Sequence, residues 1–538
     1  LLAHVIATVA NGPERLEEDI VIGIPGTRRC ISMQDAPFSR RFMHGLFAGP
    51  RPIEVVSFRC DVAEGVPAAG TGRYPKAHRR GRIFGIRFRS LQARRIRSTR
   101  QPAHLAAIVL LILLGCLVGP VGAQSLHVDI VGGTKTAMPI AVVPFAVDGS
   151  SPLPTDVADV IRNDFNRSGT FRALDRSEIV ETPSQGADIH LATWRLLKQD
   201  YIVVGRVKNA GNGMVQVAYE LWDVNKGQRL LSLSTSTVPA AGLRGVAHQI
   251  ADAIYEKITG VRGAFWTRIA YVTAVGLGDH RRYSLIVADS DGFDPQVVLG
   301  HAKEPLLSPA WSPDGSKLAY VSFESGNSAI YVQDLTTGAR TLASGRVAGI
   351  NGAPAWSPDG TRLAMSLSYP GNSEIFVMNL ATHRETRLTD NLAIDTEPVW
   401  APDGKSLYFT SDRSGQPQIY SVPATGGAPT RVTFQGQSNY DCDVSYDGKL
   451  LAMVQGNDNV YRIAILDRSL GDQVRFVSPG PYEESPSFAP NASMLLYASN
   501  DGSHGVLFSV STDGYVRQRL MLSDGDVREP AWGPFRPR

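Results

Sequence analysis

A set of acidic side chains that recurs at one place in a repeat is where this sequence is best equipped for chemistry. A large apolar residue returns as Trp311, Trp356, Trp400, Val444, Phe488 and Trp532, and three positions before each stand Ser308, Ala353, Glu397, Asp441, Ser485 and Glu529. Carboxylates gathered at the ends of repeated strands could hold a cation through hard oxygen ligands. They could also serve a hydrolase or lyase acting on a saccharide or peptide, receive a segment of a partner protein, or simply face water. Partner binding carries the most weight.

Other chemistry has little to draw on. Beyond residue 123 the histidines are His127, His190, His248, His280, His301, His383 and His504, with no pair at metal-ligand spacing. That region contains no Gly-x-Ser-x-Gly elbow, His-Glu-x-x-His helix or Walker loop. After Cys30, Cys60 and Cys116 only Cys442 remains, and one thiol makes neither an internal disulfide nor a cysteine-based zinc site. Cys442 occupies a slot that is Pro309, Pro354, Pro398, Pro486 and Pro530 elsewhere, so it reads as a small buried apolar residue. Propellers with similar repeats occur beside α/β-hydrolase domains, and none follows here. We expect no enzyme activity, cofactor or metal.

The elements that position these residues are six repeats. Ala310-Trp311-Ser312-Pro313-Asp314-Gly315 returns at Ala355–Gly360 and Val399–Gly404, more weakly at Asp443–Gly448 and Ser487–Ala492, and truncated at Ala531–Pro534. The intervals between the large apolar positions are 45, 44, 44, 44 and 44 residues. Each Ser-Pro-Asp-Gly supplies a turn, with proline fixing φ and glycine accepting positive φ. In the first unit, strands are expected at 317–323, 329–335 and 340–343 after the Trp segment, and four short strands per repeat match a propeller blade. The Trp or Phe would fill the wedge between blades. Residues 267–299 hold three strands without a first, and 528–532 is a first strand without successors. Joining them predicts six blades closed by the C-terminal strand.

Before the propeller the pattern changes. Strands are expected at 139–145, 171–175, 201–207, 214–224 and 228–238, with helices at 155–166, 189–198 and 240–258. This is a small α/β domain over 138–260, with Gly260-Val261-Arg262-Gly263 as a hinge into the propeller over 261–538. The fold class expected is an α/β N-terminal domain followed by an all-β six-bladed β-propeller. Residues 124–137 form a flexible N-terminal segment in which Leu126, Val128 and Ile130 alternate with polar residues. Such a strand can join a partner's sheet edge or pair within its own domain.

Charge divides the chain. It has 538 residues with 54 basic and 51 acidic, of which 18 basic and 8 acidic lie in residues 1–100, leaving 36 and 43, a net of −7, in the remainder. The basic leader therefore says nothing about the larger part, and nucleic acid is not an expected partner. Arg94, Arg95, Arg97 and Arg100 precede an apolar run from Leu105 to Val118 and then Val121-Gly122-Ala123, which reads as a signal peptide over 96–123 cleaved after Ala123. An uncleaved anchor over 103–121 and a lipoprotein signal at Leu113–Cys116 are the alternatives. Residues 1–95 are expected to be a non-native or unstructured leader, with a basic nucleic-acid-binding arm as the alternative.

The order of these parts, the run Thr259–Phe265 into Thr267–Val272, and the segments Ser322–Gly326, Asn351–Pro354, Thr396–Pro398 and Gly426–Pro429 resemble the TolB family over residues 124–534. That family comprises periplasmic propellers of the Tol–Pal cell-envelope system. The resemblance implies a monomeric periplasmic adaptor serving outer-membrane integrity and cell division. Its propeller would bind the lipoprotein Pal through His301, Glu304, Asn351, Glu397, Asp441, Glu484 and Glu529. Its mature N-terminus would bind TolA through Leu126, His127, Val128, Asp129, Ile130 and Val131, and Pal would change whether that segment is free. Other outer-membrane or periplasmic proteins are further possible partners under this resemblance.

Overall fold

The structure, a computed structural model, describes residues 128–130, 137–149 and 152–537, apart from 346–348, 370, 503, 521, 523 and 524. The leader, the signal peptide and its alternatives lie outside the described residues. The expected fold class is present: a mixed sheet flanked by helices, then six four-stranded antiparallel blades.

In the small domain the sheet runs β4-β2-β5-β6-β7, from strands β2 (Met138–Val142), β4 (Phe171–Ala173), β5 (Tyr201–Gly211), β6 (Met214–Asp223) and β7 (Gln228–Ser234). Short β3 (Ala146–Val147) pairs with β5, and β8 (Val238–Pro239) pairs with β6. Helix α1 (Val157–Ser168) begins two residues later than expected, because the Asp156 carboxylate caps it by accepting from the amides of Ala158 and Asp159 at 3.0 and 3.2 Å. It ends at Gly169 with φ of 69°, where a Cβ would lie 2.8 Å from Ser511 of the propeller. Helix α2 shrinks to Leu191–Leu196, anchored by the buried Trp194, since His190 before it is not helical and Lys198 beyond it has φ of 54°. Helix α3 (Leu243–Thr259) starts after a single 3₁₀ turn at Ala240–Gly242.

The expected hinge is pinned instead. Gly260 caps α3, but Gly263 is packed so closely that a Cβ would meet the Asp252 backbone at 2.6 Å. The Asp252 carboxylate accepts from the amides of Phe265 and Trp266 at 2.8 and 3.2 Å. Phe265 is buried against Tyr255 and Phe165, with ring centroids 5.7 and 6.2 Å apart. One apolar core therefore continues from α1 and α3 into the first and last blades.

The propeller closes as expected. The C-terminal strand Asp526–Trp532 pairs antiparallel with Arg268–Val275, so the first blade takes its inner strand from the chain's end. Each repeated aromatic fills the wedge beside the preceding blade and also hydrogen-bonds to it. The indole N–H groups of Trp311, Trp356 and Trp400 donate to the carbonyls of Ala531, Ala310 and Ala355 at 3.1, 3.2 and 3.1 Å. Phe488 has no such donor. There the Asp443 carboxylate of the preceding blade accepts from the Phe488 amide at 2.7 Å. At the next junction Ser487 accepts from the Trp532 amide at 3.0 Å.

All six inner strands carry the same β-bulge. Residues 308–309, 353–354, 397–398, 441–442, 485–486 and 529–530 each oppose a single residue of the second strand. The first member of each pair has positive φ, between 47° and 55°. The second is proline in five blades, which a bulge tolerates because that residue makes no ladder bond. Cys442 takes that place in the fourth full repeat, buried as expected, with its thiol pushed well up by burial and by Asp441.

Replacing Trp400 separates the two contributions of the indole. Trp400→Phe should cost about 1 kcal/mol, the value of one hydrogen bond, and Trp400→Ala about 3–5 kcal/mol as the wedge empties. Urea unfolding of the two variants measures both: no loss in Trp400→Phe would show that the indole N–H contributes nothing, and equal losses in the two that filling the wedge contributes nothing.

Candidate functional site

The six inner strands surround a central cavity of about 720 Å³. One end is bordered by the segments that follow the inner strands, including Pro313, Pro358, Pro490 and Pro534. The small domain sits on that side, where the Asn491 amide donates to the Arg262 carbonyl at 2.9 Å. The opposite mouth is bordered by Tyr440, Tyr461, Tyr482, Glu484 and the bulges, and is built from the loops that enter the inner strands.

The recurring acids do not stand before the inner strands, as expected, but inside them, at the bulges. Nor are they simply solvated, because each ties its blade to the next. Glu397 accepts from the Asp441 amide at 2.8 Å and from the Thr410 hydroxyl at 2.8 Å. Asp441 accepts from the Ser485 amide at 2.9 Å, and Glu529 from the Ser308 amide at 3.1 Å. A bulged residue at positive φ turns its N–H out of its own ladder, and the neighbouring carboxylate satisfies it. Burial raises all three carboxyls above the ordinary range, Glu529 to about 7, with the captured amides opposing the shift. Mutual repulsion adds to the rise at Asp441. Among the described residues no group of three His, Cys, Asp or Glu side chains is arranged to hold a metal ion.

The remaining proposed Pal residues fall into two sorts. His301 and Glu304 are exposed beside the loop from the first blade's outer strand, and Glu484 is exposed at the mouth. Asn351 is buried: its side chain accepts from Ser344 at 2.8 Å and donates to the carbonyls of Ser328 and Gly349 at 3.0 and 3.1 Å. Its equivalents Asp395, Asn439 and Glu483 are also buried, and Asp395 takes two bonds from the Arg413 guanidinium at 2.9 and 2.7 Å. In these four blades the position carries a buried polar side chain at the start of the inner strand, and in the other two it is the buried Leu306 and Val527.

Sequence reasoning from acids missed the apolar residues on the same face. Ile350, Leu392, Ile394, Phe434 and Tyr482 are all more than half exposed, and all lie in loops entering inner strands. The signal was available. Ile350, Ile394 and Tyr482 each stand six residues before the repeated large apolar residue, where an exposed loop position has no packing reason to be apolar.

Of the N-terminal segment, Leu126, His127 and Val131 lie outside the described residues. Val128–Ile130 forms strand β1, which does not pair within its own domain. It lies antiparallel on the outer strand Val516–Arg519 of the last blade, with Asp129 opposite Arg517. Arg517 stacks over the Phe508 ring at 3.5 Å and points to Glu483, 3.9 Å away, in the mouth loop. Burial raises the Glu483 carboxyl to about 7 despite Arg517.

Comparison with known proteins follows this division of the chain. Residues 126–230 match the family model described as the TolB amino-terminal domain, and 255–536 the one described as the TolB beta propeller domain. A Tol-Pal system protein TolB of Xanthomonas oryzae pv. oryzae (strain MAFF 311018) is 62% identical over 438 residues, covering 80% of this chain and 98% of its own. The protein of the same name from Xanthomonas euvesicatoria pv. vesicatoria is 63% identical over 415 residues, covering 77% and 94%. The crystal structure of TolB from Acinetobacter baumannii superposes with a TM-score of 0.70 at 41% identity, over 76% of this chain and 100% of that one.

The raised channel carboxyls give a pH dependence of definite sign. A carboxyl whose folded pKa lies above its ordinary value favours the fold when protonated, so that stability is lost as pH rises from about 4.5 to 7. Glu529→Gln keeps an acceptor for the Ser308 amide and cannot ionise. It should be more stable than the parent by on the order of 1–2 kcal/mol at pH 8, with the difference vanishing near pH 4.5. Thermal unfolding at the two pH values tests this, and an unchanged difference would rule it out.

Proposed function

This chain belongs to the TolB family, and we propose that it works as a non-enzymatic periplasmic adaptor of the Tol–Pal system. In this reading the leader is absent from the mature protein, which begins near Ser125 and folds as a small domain over 138–260 and a propeller over 261–538. The propeller binds Pal at the channel mouth facing away from the small domain, and the N-terminal segment binds TolA, supporting outer-membrane integrity and division. The observation that carries the reading is the set of exposed apolar side chains round that mouth, Ile350, Leu392, Ile394, Phe434 and Tyr482. Apolar anchors within a polar, acidic rim are what a protein-binding surface needs. His301, Glu304 and Glu484 belong to the rim, whereas Glu397, Asp441 and Glu529 offer a partner only the oxygens not used between blades. That engagement also argues against a hydrolase or lyase, since acids tied to backbone amides are poorly placed to exchange protons with a substrate.

The N-terminal reading rests on β1. Held by three residue pairs among the described residues, it can leave the outer edge of the last blade and add to a sheet of TolA. A route for Pal to affect this release runs from the mouth loop through Glu483 and Arg517 to the strand opposite Asp129.

Calorimetric titration tests each part. Ile394→Asp should weaken Pal binding at least tenfold with TolA binding intact, and removing residues 126–131 should abolish TolA binding with Pal binding retained. In Arg517→Ala, TolA affinity should no longer depend on Pal. Unchanged Pal affinity in Ile394→Asp would move the Pal site away from this mouth.

A further inference from the structure

Two buried helices and one propeller turn bring together a cluster of charges that the adaptor reading does not use. From α1 come Asp164 and Arg167, and from α3 come Arg244, His248 and Asp252. Asp289 and Asp291 come from the end of strand Arg282–Asp289 and the turn after it. The C-terminal tail contributes Arg536, whose guanidinium bonds Asp289 at 3.3 Å. Arg167 donates to Asp164 at 3.2 and 3.0 Å and crosses to the propeller, where it donates to the Ser290 carbonyl and hydroxyl at 3.0 and 2.8 Å. Arg244 forms an ion pair with Asp291.

His248 lies at the centre of this cluster with no solvent exposure. Its Nδ1 is 2.7 Å from Asp164 Oδ2. Its Nε2 has no hydrogen-bond partner and stands 3.7 Å from Asp291 Oδ2. If Nδ1 carries the only proton, Nε2 presents a lone pair to a buried carboxylate, which is unfavourable on both sides. A second proton removes that mismatch. It also places a positive charge between the two carboxylates that face the ring, Asp164 and Asp291.

We propose that His248 is a proton-operated latch between the small domain and the propeller, holding the two docked as the imidazolium bridging Asp164 on one side and Asp291 on the other. The electrostatics agree. Burial alone would lower the imidazole pKa, but Asp164 and Asp291 outweigh it and raise the pKa above 6.5. Burial would likewise raise Asp291, yet His248, Arg244 and Arg167 hold that carboxyl down at about 2. A group whose pKa is raised by docking stabilises the docked state fully below its free value and loses that contribution as pH climbs through the docked one. The latch therefore opens towards alkaline pH.

The intact chain tests this in two ways. In ¹⁵N NMR of the imidazoles at pH 6, with His248→Gln identifying the resonance, both His248 nitrogens should carry protons and the titration midpoint should lie above 6.5. A bare Nε2 at pH 6 would overturn the proposal whether or not the variant folds well. In hydrogen exchange, protection of the α1 and α3 amides should fall at least tenfold relative to global protection between pH 6.5 and 9 in the parent, and stay level in His248→Gln. The same fall in both proteins would overturn it.

Discussion

A propeller is a ring with no covalent bond across its seam, and here the whole molecule depends on one antiparallel pairing. Asp526–Trp532 lies against Arg268–Val275, so residues more than 250 positions apart make a single sheet. Other features gather at this seam. The first and last blades carry the small domain's core, Trp532 donates to Thr267 at 2.8 Å, and Glu529 supplies the amide acceptor for the second blade's bulge. Such non-local pairing forms after its loop-closure entropy has been met, so local hairpin order within each blade must come first.

Round the rest of the ring, adjacent blades are joined by few directed bonds, and these are interchangeable. Where the wedge residue is Trp, its indole reaches back to a carbonyl; where it is Phe488, an Asp443 carboxylate reaches forward to an amide. In each of these bonds the later blade donates and the earlier blade accepts; what changes is whether side chain or backbone supplies the group. Carboxylates at the bulges obey the same requirement. Their raised pKa values follow from being placed where a turned-out N–H needs an acceptor within a half-enclosed channel.

Blade number, strand order and closure were legible in the sequence because a 44-residue interval and a missing first strand leave one arrangement. The role of the acids was not. Glu397, Asp441 and Glu529 look like a functional ring when only their recurrence is known. Their partners are amides of other blades, and those amides are free only because of a bulge that proline marks without announcing its φ. The glycines at 260 and 263 looked like a hinge for a similar reason: glycine signals either freedom or close approach, and Asp252 decides for the latter. The N-terminal strand paired with a third candidate, the propeller edge, since edge strands accept any extended backbone and sequence does not rank them.

That edge has a consequence for the protein as a population of molecules. While β1 lies on Val516–Arg519 the outer side of that strand is paired, but departure of β1 uncovers a row of unpaired amides and carbonyls able to accept the same strand from a second copy. The edge is only four residues long, and Arg517 and Arg519 alternate with the buried Val516 and Gln518. Shortness limits the grip of any borrowed strand. Reversible departure is thus compatible with staying single.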